Sequence, residues 1–181
     1  MDRRQNKTQL GIKAVFIHLL SKNPIDKITV SRISELADIN RGTFYLHYHD
    51  VYDLHDQIVA ELITDMTTIF STTYPTTTEN YSSFKTLSYQ LVNYIATHQA
   101  TVDVLLNQQQ VGAVVFKKVK TTFIQKALIL ETDLSDSVPD KIEINFIVSG
   151  IMGLIIDFIS HELPITAEEL YQHIYNLLLK F

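Results

Sequence analysis

The chain has 181 residues, 46% of them apolar and 19% charged, with only 5 Gly and 4 Pro. That is enough for one domain or two small ones with a buried core, and it excludes collagen-like, low-complexity and linker-dominated chains. There is no cysteine, which removes disulfides, thiolate-bound zinc, iron–sulfur clusters and thiol catalysis and favours an intracellular, cytoplasmic setting. The net charge of −5 is unevenly spread: residues 1–50 carry 8 basic and 5 acidic side chains (+3), the remainder 7 and 15 (−8). A basic head on an acidic body suits a polyanion-binding module joined to a part that does not touch the polyanion.

In chain order, the start from Met1 to Lys7 is positively charged, but no apolar run of export-signal length follows it. Leu10, Ala14, Val15, Phe16, Leu19 and Leu20 share one face of a helix predicted over 10–20, which stops near Asn23-Pro24. Thr29, a good N-cap, opens a second helix through Ile33 and Leu36 to Ala37, and Asn40 opens a third through Thr43, Phe44 and Tyr45 to about His47. Asp50 can cap a long fourth helix, whose stripe Val51, Leu54, Ile58, Leu62, Met66, Ile69 and Phe70 holds for five turns.

The β-branched, polar run 71–78 contains Pro75 and reads as a loop between two modules. Beyond it the spacing predicts helices at about 80–98, 100–108, 111–131, 140–161 and 166–180. Pro164 closes the penultimate helix, and Thr166 with Glu169 forms a capping box for the last. The charge-free stretch Ile144 to Ile156 is 13 residues, short of the ~20 a membrane span needs, and reads as a buried helix. The fold class is therefore all-α, in three parts: a head over 1–50, a connecting helix over 51–73 and a helical body over 74–181.

Two short helices joined by a turn at Asp38 to Arg41, after a longer helix and within the basic head, match the helix-turn-helix plan, in which the second short helix enters the DNA major groove. Phe44 and Tyr48, four apart, can face inward. That leaves Arg41, Gly42, Thr43, Tyr45, Leu46 and His47 outside, with Gly42 permitting close backbone approach. An ordinary solvated helix face would explain this eight-residue string by itself. The capped helix before it and the basic head tip the reading toward DNA.

The run from Ile28 to Tyr48, with Arg41-Gly42-Thr43-Phe44-Tyr45-Leu46-His47-Tyr48 as its specific part and Asp53-Leu54 after it, resembles the DNA-binding domain of TetR-family transcriptional regulators. The resemblance is strong over residues 8–60. It implies a dimeric all-helical regulator on a roughly palindromic double-stranded operator, with a variable C-terminal body that takes a small-molecule effector or another signal. Carried over by position, phosphate contacts fall on Thr29, Tyr45 and His47 and base contacts on Arg41, Gly42, Thr43 and Leu46, with Ser31, Arg32 and Asn40 on the same edge. Two departures stand out: Asp38 occupies a turn position that is usually Gly, and Val51 a position that is commonly a phosphate-binding Lys.

The body resembles, more loosely, a subset of that family that includes regulators like the dihydroxyacetone kinase activator, through residues 146–156 and 163–170. Gly150 and Gly153 form a small patch suited to close helix packing, on a face too apolar to leave in water. The last two helices are therefore assigned to a dimer interface through Ile147, Gly150, Ile151, Leu154 and Phe158, with Tyr171, Ile174 and Leu178. The effector pocket that the resemblance implies would draw on Tyr89, Tyr94, His98, Phe116, Phe123, Asn145 and Met152.

Other chemistries find less support. His47, His49 and His55 lie near Asp50, Asp53 and Asp56, but acids at a helix start favourably meet its dipole, so no metal site and no cofactor is assigned. Asp133, Ser135 and Ser137 imitate part of a calcium loop whose turn Gly is replaced by Val138. Lys117, Lys118 and Lys120 read as a solvated run. No nucleophile with a base, carboxylate pair or phosphate loop marks an enzyme, and no segment marks a membrane protein. The alternative kept open is a helical regulator that works mainly through a protein partner, with weak or no operator binding.

Overall fold

A computed structural model describes residues 3–73, 81–107, 112–134 and 141–180, and every regular element in them is helical. They are α1 (Arg3–Leu20), α2 (Val30–Leu36), α3 (Arg41–Tyr45), α4 (Val51–Thr73), α5 (Tyr81–Thr97), α6 (Gln99–Asn107), α7 (Gly112–Leu134), α8 (Lys141–Ile159) and α9 (Ala167–Leu178), with a 3-10 turn at Ile25–Lys27 between α1 and α2. The chain divides into two compact units, Met1–Leu62 and Ile63–Phe181, the boundary falling inside α4.

In the first unit, Ile12, Phe16 and Leu20 of α1 are four residues apart and fully buried, as are Ile33 of α2, Phe44 of α3 and Leu54 of α4. Each short helix thus contributes a fully buried apolar side chain to the core. Lys13 of α1 pairs with Glu61 of α4 across the rim of this core. Helix α1 starts at Arg3, seven residues before its apolar stripe begins, and the turn at Ile25–Lys27, which buries Ile25, is not foreshadowed by the sequence reading.

In the second unit, α5 lies along α9: Leu87, Val92 and Ile95 are buried, as are Leu170 and Ile174. Tyr89 meets Tyr171 edge to face at 5.4 Å. The far end of α4 is held by Phe70 against Phe123 of α7 (5.3 Å) and by two side-chain bonds to α5, Tyr94 Oη donating to Asp65 (2.9 Å) and Thr73 Oγ1 to Gln90 (2.8 Å). The expected capping box opens α9: Thr166 Oγ1 accepts from Glu169 N (3.2 Å), and Glu169 accepts from Thr166 N (2.7 Å). These bonds hold the Glu169 carboxyl below its ordinary range.

Two expectations need correction. Ser71 to Thr73, which fall both in the 71–78 loop and in the 51–73 connecting helix of the sequence reading, belong to α4, where Thr67 and Thr72 turn their hydroxyls back onto the carbonyls of Ile63 and Thr68 (both 2.8 Å). Residues 74–78 of that loop lie outside the described residues, as do Ser135, Ser137 and Val138. The second concerns α8. Expected as a buried helix, it has a mean hydropathy of 1.9, long and apolar enough to cross a membrane by length and composition, yet only 6% of its apolar window is buried in this chain. One edge packs on α7, and Phe158 and Ile159 are enclosed, while most of the remaining helix keeps a half-open or open surface.

Candidate nucleic-acid interface

The two short helices are positioned by their caps. Thr29 Oγ1 accepts from Arg32 N (3.2 Å) to start α2, and Ile33 and Ser34 turn into the core. The helix closes when Ile39 N donates to Ser34 O (3.0 Å) and Asp38 N to Glu35 O (3.3 Å), the paired bonds of a Schellman closure. This requires a left-handed residue, and Asp38 supplies it with φ 52. The Asp at a position that is usually Gly is thus accommodated at a moderate cost, Asp being among the side chains that tolerate this region. Asp38→Gly is expected to hold or raise the melting temperature, whereas Asp38→Val should cost about 1–2 kcal/mol in thermal denaturation.

Asn40 Oδ1 accepts from both Thr43 N (2.7 Å) and the Thr43 hydroxyl (3.0 Å), fixing the first turn of α3. A Cβ on Gly42 would lie 3.2 Å from that same oxygen, so a larger residue would crowd the cap. The Thr43 hydroxyl proton is thereby committed to Asn40. Phe44 sits behind, 0% exposed, with its ring 5.5 Å from Tyr48 and meeting Tyr45 edge-on at 5.7 Å.

In front of Phe44 the structure brings together an open edge: Asn40, Arg41 and Gly42 are exposed, Tyr45 is 56% and Leu46 81% exposed, and Thr43 and His47 are half-buried. Thr29 and Arg32 are exposed on α2, and Ser31 is half-buried. So exposed, Leu46 contributes little to the core. The sequence reading passed over Glu35, exposed on α2 and bonded to Arg32 (2.8 Å). An acid three residues beyond a base is a signal it could have used.

The neighbouring acids are committed to the start of α4. Asp50 Oδ1 accepts from the amides of Tyr52 and Asp53, and Asp53 Oδ2 from that of His49 (all 2.8 Å), which draws the Asp53 carboxyl below its ordinary range. Among the described residues no group of three or more His, Asp or Glu is placed to hold a metal. Val51 is buried, so the side chain at that position belongs to the core and not to a phosphate grip.

Behind the edge, the Tyr48 hydroxyl is buried with no hydrogen-bond partner among the described residues. Burial, with the nearby charges of Glu61 and Asp53, pushes its pKa up to about 12. Tyr48→Phe removes an unsatisfied polar atom and is expected to stabilise the head by about 1 kcal/mol in denaturant titration. The folded state favours the neutral phenol, so the wild type should lose stability as pH rises from 10 toward about 12, a slope that the Phe variant lacks.

The second unit holds a cleft among its described residues. It measures about 230 Å³ and is lined by Asp103, Leu106, Asn107, Gly112, Ala113, Phe116, Ile156, Ile159 and Ser160, and Phe116 alone of the residues assigned to a pocket reaches it. Tyr94 stacks on His98 at 4.2 Å, Phe123 packs on Phe70, Tyr89 on Tyr171, Asn145 is exposed and Met152 half-buried. Of the assigned interface residues, Phe158, Tyr171 and Ile174 are already buried within the protomer. Gly150 is exposed, and Ile147, Ile151, Leu154 and Leu178 are half-open.

Residues 82–180, more than half of the chain, match the family profile described as the C-terminal region of TetR-type transcriptional regulators. Solved structures with the same fold include a TetR-family regulator from Syntrophomonas wolfei (13% identity, TM-score 0.71, covering 95% of this chain and 93% of that one). Others are the dihydroxyacetone kinase operon activator DhaS (24%, 0.62, 96% and 94%) and a TetR regulator from Streptococcus agalactiae (19%, 0.60, 97% and 96%). At these identities the likeness is one of fold. No curated relative matches the chain. The chain belongs to the TetR family of transcriptional regulators, with the general DNA-binding regulatory role of that family.

Proposed function

We propose that the chain is a cytoplasmic homodimer that binds a roughly palindromic operator through the edge formed by Arg41, Gly42, Thr43, Leu46, Tyr45 and His47. Thr29, Ser31, Arg32 and Asn40 flank it. Residues 1–50 form the reading head, 51–73 the connecting helix and 74–181 the regulatory and dimerising body. The observation that carries the reading is Leu46, an apolar side chain 81% exposed on the same edge as the exposed Arg41 and Tyr45, while Phe44 is fully buried behind them. An edge that presents a guanidinium, a methyl-bearing side chain and a phenol has the chemistry to read bases and grip phosphates.

The second copy is expected on α8, whose apolar surface a single chain leaves open. Two-fold symmetry then sets the half-site centres about 34 Å apart, or a multiple of that. An effector held in the body acts through its preference for one spacing of the heads, and a 100-fold loss of affinity needs about 2.7 kcal/mol of coupling. Selection of bound duplexes from random DNA tests the reading. An inverted repeat with that spacing is the expected product, and recovery of no preferred sequence would reject it in favour of a regulator that works through a protein partner.

A further inference from the structure

Arg32 lies in the first turn of α2, its backbone amide bonded to Thr29, and one end of its guanidinium is already engaged. Arg32 Nη1 donates to Glu35 Oε2 at 2.8 Å, one turn along the same helix, with both side chains more than half exposed. Arg41 makes no ion pair among the described residues, so the two arginines of the edge are prepared differently. In water such an exposed pair contributes little to folding. Beside a duplex the balance changes. The carboxylate competes with phosphate for the guanidinium donors and adds a negative charge where the DNA brings many.

We propose that Glu35 limits the strength of DNA binding by holding Arg32 off the phosphate backbone. This rests on the DNA-binding reading given above. Glu35 acts through Arg32, so it is a positioning residue: the pair keeps one potential phosphate contact unmade, and affinity stays within the range that a modest coupling free energy can switch.

The test uses the full chain and a duplex recovered with the wild type, comparing wild type, Glu35→Gln, Arg32→Ala and the double variant by fluorescence anisotropy over a salt series. Glu35→Gln should tighten binding roughly three- to tenfold at low salt and steepen the log–log salt slope by about 0.9, one phosphate. Arg32→Ala removes one positive charge and leaves Glu35 unpaired, so alone it should weaken binding, and in the Glu35→Gln background it should erase the gain. A gain that persists without Arg32 reports general charge repulsion and overturns the proposal, as does an unchanged affinity and slope. Glu35→Ala provides a second variant with the same expectations if the glutamine perturbs folding. A wild type that binds no duplex removes the DNA-binding reading, and this inference with it; a binding wild type with a silent Glu35 removes only the inference.

Discussion

Phe44→Ala is expected to unfold the head. The ring is fully buried and is the only residue of the five-residue α3 that reaches the core. Truncating such a phenylalanine costs about 3–5 kcal/mol. A unit the size of Met1–Leu62 has roughly 3–9 kcal/mol in total by the usual per-residue range. Hydrogen exchange separates the outcomes: α1, α2 and α3 should lose protection while α5 and α9 keep theirs. Unchanged protection in the head would mean that Phe44 does not anchor α3.

The sequence made this anchor legible because a short helix with one core position leaves little choice: in Arg41 to His47 only Phe44 has Tyr48 four residues on to share a face. The caps at Thr29, Asn40 and Thr166 were legible for a similar reason, since a side-chain oxygen before a helix bonds locally whatever surrounds it. The body yielded less. Aromatic spacing placed Tyr89, Tyr94 and Phe123 on helices, but whether a ring lines a cavity depends on which helix lies opposite. No local pattern says that α9 lies along α5, or that Tyr89 meets Tyr171 and Phe123 meets Phe70. Helix α8 looked buried because apolarity does not distinguish a core from a surface awaiting a partner.

Arg41→Ala should weaken operator binding by about 1–3 kcal/mol and relax the preference for one base, because a guanidinium is the side chain best shaped for two acceptors on guanine. Tyr45→Phe should lose a similar amount across all sequences, since a phenol bonded to phosphate carries no base information. Competition binding on the selected operator and its single-base variants distinguishes the two patterns. Equal loss of specificity in both variants would make Tyr45 a base reader as well, and no loss in either would remove both residues from the interface.

The absence of cysteine makes the most direct measurement simple. Leu46→Cys places one thiol at the tip of the edge, and Ile129→Cys places one at an exposed position of α7. Alkylation rates measured with and without the selected duplex should show the thiol at position 46 protected and the one at position 129 unaffected. A thiol at position 46 that reacts equally fast on saturating DNA would contradict the account, because the side chain it assigns to the bases would then still be in water.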